Sequence, residues 1–282
     1  MPALPRKLLA AAALAALSGG ARAEEGVGPW VTADEAEIRL VSPVATVGAE
    51  AARVPLGLHL RIADGWRIYW RTPGAAGMPP QFDWSGSENL AEAVVSWPAP
   101  RRFEAFGQQS YGYAGEVIFP VTAALRRPGE PLGLRLALSY LICREVCVPG
   151  EASLALDLAS GQPAETSAAA EIARHAARVP ASAAEKGVAI AARSGPAGLT
   201  VTVSGPERLA EPDLFLEWPV AAGQRRPDLP KPAVTLSGDG REAEFRVSVH
   251  APLVRPGTRL TVTVTDGAAA VEAAVTVEPA QP

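Results

Sequence analysis

The chain has 282 residues, of which 48% are hydrophobic and 20% charged, with a formal net charge of −4. At roughly 100 to 200 residues per domain, this length fits one large or two ordinary domains with cores of their own, and the apolar fraction excludes a collagen-like or disordered chain. The two cysteines exclude a disulfide-dense scaffold, and the acidic balance provides no electrostatic footprint for nucleic acid.

Residues 1–23 read as a secretory signal peptide. Arg6 and Lys7 form a basic start, Leu8 to Leu17 a short Ala/Leu core, and Ala21-Arg22-Ala23 an A-x-A cleavage site. The apolar core of about ten residues is too short to span a bilayer, and no later run reaches the roughly 18 apolar residues a span needs. The alternative is an uncleaved amino-terminal anchor. Cleavage would leave a mature chain of 259 residues with 23 basic and 30 acidic side chains, exported and without a membrane span.

Seven strands are then expected in the first half: Glu37 to Val41, Val54 to Ile62, Trp66 to Arg71, Ala93 to Trp97, Val117 to Leu125, Leu132 to Leu141 and Ser153 to Leu158. The alternation is clearest in Leu132-Gly-Leu-Arg-Leu-Ala-Leu-Ser-Tyr140. Residues 161–186 read as a helical linker: the segment is Ala-rich, places Glu171, Ile172, Arg174, His175 and Arg178 at helical spacing, and has Pro180 as a stop. After it, Val188 to Ala192, Leu199 to Val203, Leu214 to Trp218, Glu244 to Val249, Leu260 to Thr265 and Ala270 to Val277 read as short strands bounded by Gly, Pro or Asp. With 26 Gly and 27 Pro, no Gly-rich phosphate loop and no βαβ rhythm, the expected fold is mainly β. It comprises two tandem immunoglobulin-like β-sandwiches joined by a short helical linker, the second over 187–282.

Both cysteines, and most of the aromatic residues, lie before residue 160. In a straight strand Cys143 and Cys147 would be roughly 13 Å apart at about 3.3 Å per residue, whereas a disulfide needs Cα atoms within roughly 7 Å. If they pair, Arg144-Glu145-Val146 must turn the chain, and Pro149 follows. A structural bridge there would add only about 2 kcal/mol, against nearly 5 for a 100-residue loop, and tight loops favour reducible disulfides. Three readings remain open: a redox pair, a structural bridge, and a metal site. For metal, two thiolates with Met78 as a soft third ligand would suit Cu(I), while His59, His175 and His250 lack zinc-ligand spacing and read as surface or strand residues. No Ser-His-Asp or Cys-His set is recognisable, and Glu24-Glu25 read as solvated charge.

Several ordered motifs between Asp34 and Ser160 resemble the amino-terminal periplasmic domain of the DsbD family of disulfide reductases, in its ScsB-like, copper-sensitivity-suppressor version. They are Asp64-Gly-Trp-Arg-Ile-Tyr69-Trp70-Arg71, Thr72 to Pro80, Phe82-Asp-Trp84, Trp97-Pro-Ala-Pro100, Arg102-Phe103, Phe106-Gly107, Tyr111-Gly-Tyr113, Glu116 to Pro120 and Tyr140-Leu-Ile-Cys143-x-x-x-Cys147-Val-Pro149. From Gly187 on, the chain resembles the further β domain of the ScsB-type region only loosely.

The resemblance implies a redox β-sandwich over 24–160 in which Cys143 and Cys147 are the reactive pair. Phe103, Glu104, Ala105, Phe106 and Gly107 would be the cap loop that shields it, with Phe106 as the lid. Asp64, Trp66 and Tyr69 would flank the site, as would Arg144, which favours a thiolate, and Glu145, which opposes one. The aromatic pair has an equally ordinary reading as core residues. The implied partners are a membrane-embedded DsbD/ScsB-type reductase domain and periplasmic thioredoxin-like client proteins. No cofactor is implied, and the activity would be that of a protein-disulfide reductase component. DsbD proper has five residues between its cysteines where this chain has three, and the chain carries neither a transmembrane bundle nor a Cys-x-x-Cys domain, so either the membrane part of the relay is a separate protein or the module works with another donor. A copper-binding or copper-tolerance module and a structural interaction protein are the rival functions.

Overall fold

The computed structural model describes residues 24–105, 107–196, 198–218, 228–249 and 254–280. The leader at 1–23, Phe106 and His250 lie outside them.

In chain order the first half carries β1 (Val31–Ala33), β2 (Ala36–Val41), β3 (Arg53–Ile62), β4 (Arg67–Gly74), β5 (Gln81–Asp83), β6 (Leu90–Val95), β7 (Arg101–Ala105), β8 (Gln108–Tyr113), β9 (Glu116–Leu125), β10 (Leu132–Cys143) and β11 (Cys147–Leu158). One sheet has the order β1-β2-β3-β9-β6, and the facing sheet β11-β10-β4-β8-β7, with β5 also paired to β10. All seven expected strands are present with shifted ends. The expectation missed β1, β5 and the β7–β8 hairpin, whose short, polar or Gly-containing sequences alternate too briefly to be recognised.

The longest ladder shows why the sequence folds this way. Leu132, Leu134, Leu136, Leu138, Tyr140 and Ile142 on β10 are all buried, as are Ala152, Leu154, Leu156 and Leu158 on β11. Their register runs without interruption from Leu132↔Leu158 to Cys143↔Cys147. A slip of one residue would turn every one of these leucines to solvent, at about 1.5–3 kcal/mol each, so the hydrophobic pattern alone holds the register. Trp97, Tyr113 and Phe119 fill the core in edge-to-face contacts of 5.0–5.3 Å.

α1 (Ala169–Ala176) is the only helix among the described residues. It is shorter than the 161–186 linker suggests, and it docks on the first sandwich: Ile172 packs with Val41, Ile118 and Ala168. His175 is buried, and its Nδ1 accepts the Ile118 backbone N–H at 3.2 Å. It is thus neither a surface nor a strand residue, because the helix needs an apolar face and its polar end caps a free β9 amide. His59 does lie on a strand, fully buried, with Nε2 2.8 Å from Glu116.

The second half carries β12 (Ala181–Ser182), β13 (Ala189–Gly195), β14 (Gly198–Ser204), β15 (Pro212–Glu217), β16 (Ala233–Leu236), β17 (Glu242–Val247), β18 (Arg259–Asp266), β19 (Ala269–Thr276) and β20 (Glu278–Pro279). These form the sheets β12-β19-β18-β15 and β16-β17-β14-β13-β20. The chain is therefore mainly β, two immunoglobulin-like sandwiches in tandem with the helix between them. No helix among the described residues is long and apolar enough to cross a membrane.

Candidate redox site

β10 and β11 form a hairpin whose last registered pair is Cys143↔Cys147. Arg144-Glu145-Val146 make the turn, closed by the Arg144 N–H donating to the Val146 carbonyl at 3.0 Å. The turn brings the two Cα atoms to 4.1 Å, and the sulfurs are bonded. The pair is strongly asymmetric: Cys143 is buried at 1% exposure, on the sheet face opposite the core residue Ile142, whereas Cys147 is exposed.

β4 runs alongside β10, with Cys143 opposite Arg67 and Ile142 opposite Ile68. Residues two apart on a strand share a face, so Arg67 and Tyr69 would be expected on the same side. The Tyr69 hydroxyl donates to Cys143 Sγ at 3.0 Å and lies 3.6 Å from Cys147 Sγ. Tyr69 is 3% exposed. Burial pushes its pKa up, opposed by the Arg67 charge, so the phenol keeps its proton and remains a donor. A tight loop seals the ring from the other side: a Cβ on Gly77 would fall 2.3 Å from the Tyr69 ring, and Gly77 has φ +102°.

Arg67 is the residue that sequence reasoning passed over. Its Nη2 donates to the Arg144 carbonyl in the cysteine turn at 3.3 Å, and its guanidinium lies 5.7 Å from the centre of the Phe103 ring. Its Nε is buried and finds no hydrogen-bond partner among the described residues. One side chain thereby spans the disulfide turn and the β7–β8 hairpin. The signal was available in its position two residues from Tyr69 in the Asp64-to-Arg71 motif.

The remaining predicted residues sort by position. Trp66 is buried in the core, with the Arg144 guanidinium 5.2 Å above its ring. Asp64 is exposed in the turn from Ala63 to Trp66, beside Gly65, over which Arg144 packs. Glu145 is exposed in the cysteine turn itself, as is Val146 at 65%. Phe103 is half-buried, Glu104 accepts from Gln109 Nε2 at 3.2 Å, and Ala105 pairs with Gln108. Gly107 makes the hairpin turn at φ +72°. The hairpin forms the sheet edge, separated from the cysteine-bearing β10 by β4. Met78 is exposed, with Sδ 3.7 Å from Gln81 Nε2. No group of three or more His, Cys, Asp or Glu able to hold a metal ion occurs among the described residues.

Comparison with known proteins bears on the family and the fold. Residues 36–159 match the family model described as thiol:disulfide interchange protein DsbD, N-terminal. Residues 178–280 match that of a domain of unknown function, DUF8393. The crystal structure of the N-terminal periplasmic domain of ScsB from Proteus mirabilis has the same fold, with a TM-score of 0.70 at 22% identity, covering 90% of this chain and 99% of that one. Among curated protein sequences there is no match.

Proposed function

We propose that this chain, whose residues 36–159 belong to the DsbD amino-terminal family, is a periplasmic thiol–disulfide interchange module. It passes electrons through Cys143 and Cys147 from a membrane-embedded reductase to oxidised thioredoxin-like clients. Residues 24–160 form the redox unit and 187–282 a second unit. Family membership supports the periplasmic placement, as does the leader pattern at 1–23. The observation that carries the reading is the division of labour between the sulfurs: one exposed, the other buried and hydrogen-bonded by Tyr69.

The chemistry follows from that asymmetry. An incoming thiolate bonds to the exposed Cys147 Sγ, the Cys143–Cys147 bond breaks, and its electron pair leaves on Cys143 Sγ. The Tyr69 hydroxyl then donates to a thiolate where before it met a neutral sulfur, an interaction roughly twice as strong. Stabilising the leaving thiolate in this way speeds exchange. The donor's second thiolate next attacks its own sulfur in the mixed disulfide and releases the Cys147 thiolate. The donor departs oxidised and the pair holds two electrons. Running the same steps backwards against a client disulfide delivers them.

Alkylation and mass spectrometry across a series of redox buffers test the assignment. An exchanging pair titrates at a potential above about −300 mV, whereas one still oxidised well below that is a structural bridge.

A further inference from the structure

We propose that the second sandwich positions the redox site: Asp213 and Glu217 on β15 hold the β7–β8 hairpin and β4 in place and so limit access to the buried sulfur. The inference rests on the redox reading for its biological meaning, but not for its test.

On β15, Leu214 and Leu216 pack in the second sandwich's own core, and the alternate residues Asp213, Phe215 and Glu217 meet the first sandwich. Phe215 is fully buried, not among its own sheet's residues but in the first sandwich's core. It lies edge-on to Trp70 at 6.0 Å and to Tyr111 at 5.1 Å.

On either side of it, a carboxylate grips an arginine next to a site residue. Arg102, which immediately precedes Phe103, places Nε 2.9 Å from Asp213 Oδ2 and Nη2 2.8 Å from Asp213 Oδ1, with a further bond of 2.7 Å to the Leu214 carbonyl. Its side chain is 9% exposed, and its guanidinium lies about 5 Å from both the Tyr111 and Phe215 rings. Arg71, two residues after Tyr69, forks onto Glu217 at 2.6 and 3.0 Å and also pairs with Glu272, while the Thr72 hydroxyl donates to Glu217.

Half-buried ion pairs of this kind add little net stability over an apolar contact. Their geometry is nevertheless exacting, and removing one partner strands the other charge. Their effect is to fix where β4 and β7 stand. Those are the strands that bear Tyr69, which touches both sulfurs, and Phe103, which lies under Arg67. Any opening of the hairpin must therefore bend at or beyond Phe103, because Arg102 is tied down.

The test uses the full chain, chemically reduced with excess dithiothreitol and then followed in two ways: the rate of Cys143 alkylation by iodoacetamide, and backbone amide hydrogen exchange in 101–105 and 107–113. Asp213→Asn is expected to accelerate both by about tenfold, the change that ~1.4 kcal/mol taken from the closed state produces. Asp213→Glu should recover part of the effect. Val201→Ala, made in the second sandwich's core on β14, in the sheet that does not contain β15, should lower the melting temperature and leave both rates at the wild-type value. Should Asp213→Asn not fold, Glu217→Gln carries the same expectation for amides 67–74 and for Cys143. Unchanged alkylation in the carboxylate variants, or an equal acceleration in Val201→Ala, would overturn the proposal. Neither readout needs a donor or client, so a chain that no physiological donor reduces would sink the redox reading and leave this result standing.

Discussion

The Tyr69 hydroxyl lies 3.0 Å from Cys143 Sγ, on the buried side of a disulfide whose other sulfur, on Cys147, is open to solvent. In the oxidised chain this bond links a phenol to a neutral sulfur and is weak. Its larger role comes after reduction, when Cys143 carries the charge.

Tyr69→Phe removes that donor and nothing else from the ring. Hydrogen bonds to charged groups contribute about 1.5–3 kcal/mol, so reduction by a small dithiol at neutral pH should slow about tenfold or more. The pH profile of Cys143 alkylation should also move to higher pH, since the thiolate has lost its partner. Circular dichroism should show an unchanged fold. A variant with wild-type rate and pH profile would remove Tyr69 from the mechanism.

The two cysteines should differ when isolated. In Cys143→Ser the exposed Cys147 thiol should form a mixed disulfide readily with oxidised glutathione. In Cys147→Ser the buried Cys143 thiol should react more slowly by on the order of tenfold. Mass spectrometry of timed, acid-quenched samples reads both. Equal rates would mean that the exposure difference does not govern attack.

Gly77 closes over the Tyr69 ring at φ +102°. Gly77→Ala would incur about 1–2 kcal/mol for the left-handed backbone alone, and its methyl would displace the ring. Thermal melting should fall, and exchange should slow in step with Tyr69→Phe. A stability loss with normal exchange would show that the loop adjusts without moving the phenol.

His175 makes stability depend on pH. Burial lowers its pKa, and so do Arg178, His59 and Arg174, against the opposing pull of Glu116. The unfolded chain therefore binds the proton more readily than the folded one. The neutral ring's contribution is complete above about pH 6.5 and declines as pH falls from there towards the lowered folded value. Protonation also removes the acceptor for the Ile118 N–H. Melting followed from pH 7.5 down to 5 should show a decline that His175→Gln flattens. His59, also lowered by burial, accounts for any remainder.

Much of this protein could be read from its residues in order. Period-two alternation marks the strands because a half-buried sheet sorts side chains by face, and long ladders such as Leu132 to Leu158 leave a single register. The four-residue separation of Cys143 and Cys147 forces a turn if they pair, and that turn is present at Arg144 to Val146. The same reading stopped at Arg67, at the helix that docks through His175, and at Phe215. Each of these is defined by a partner far away in the chain: a cysteine turn, a β9 amide, and the core of another sandwich. Local pattern reports which face a side chain takes. Only the packing of distant elements decides what that face meets, and with it which sulfur is buried, which phenol reaches it, and what holds that phenol in place.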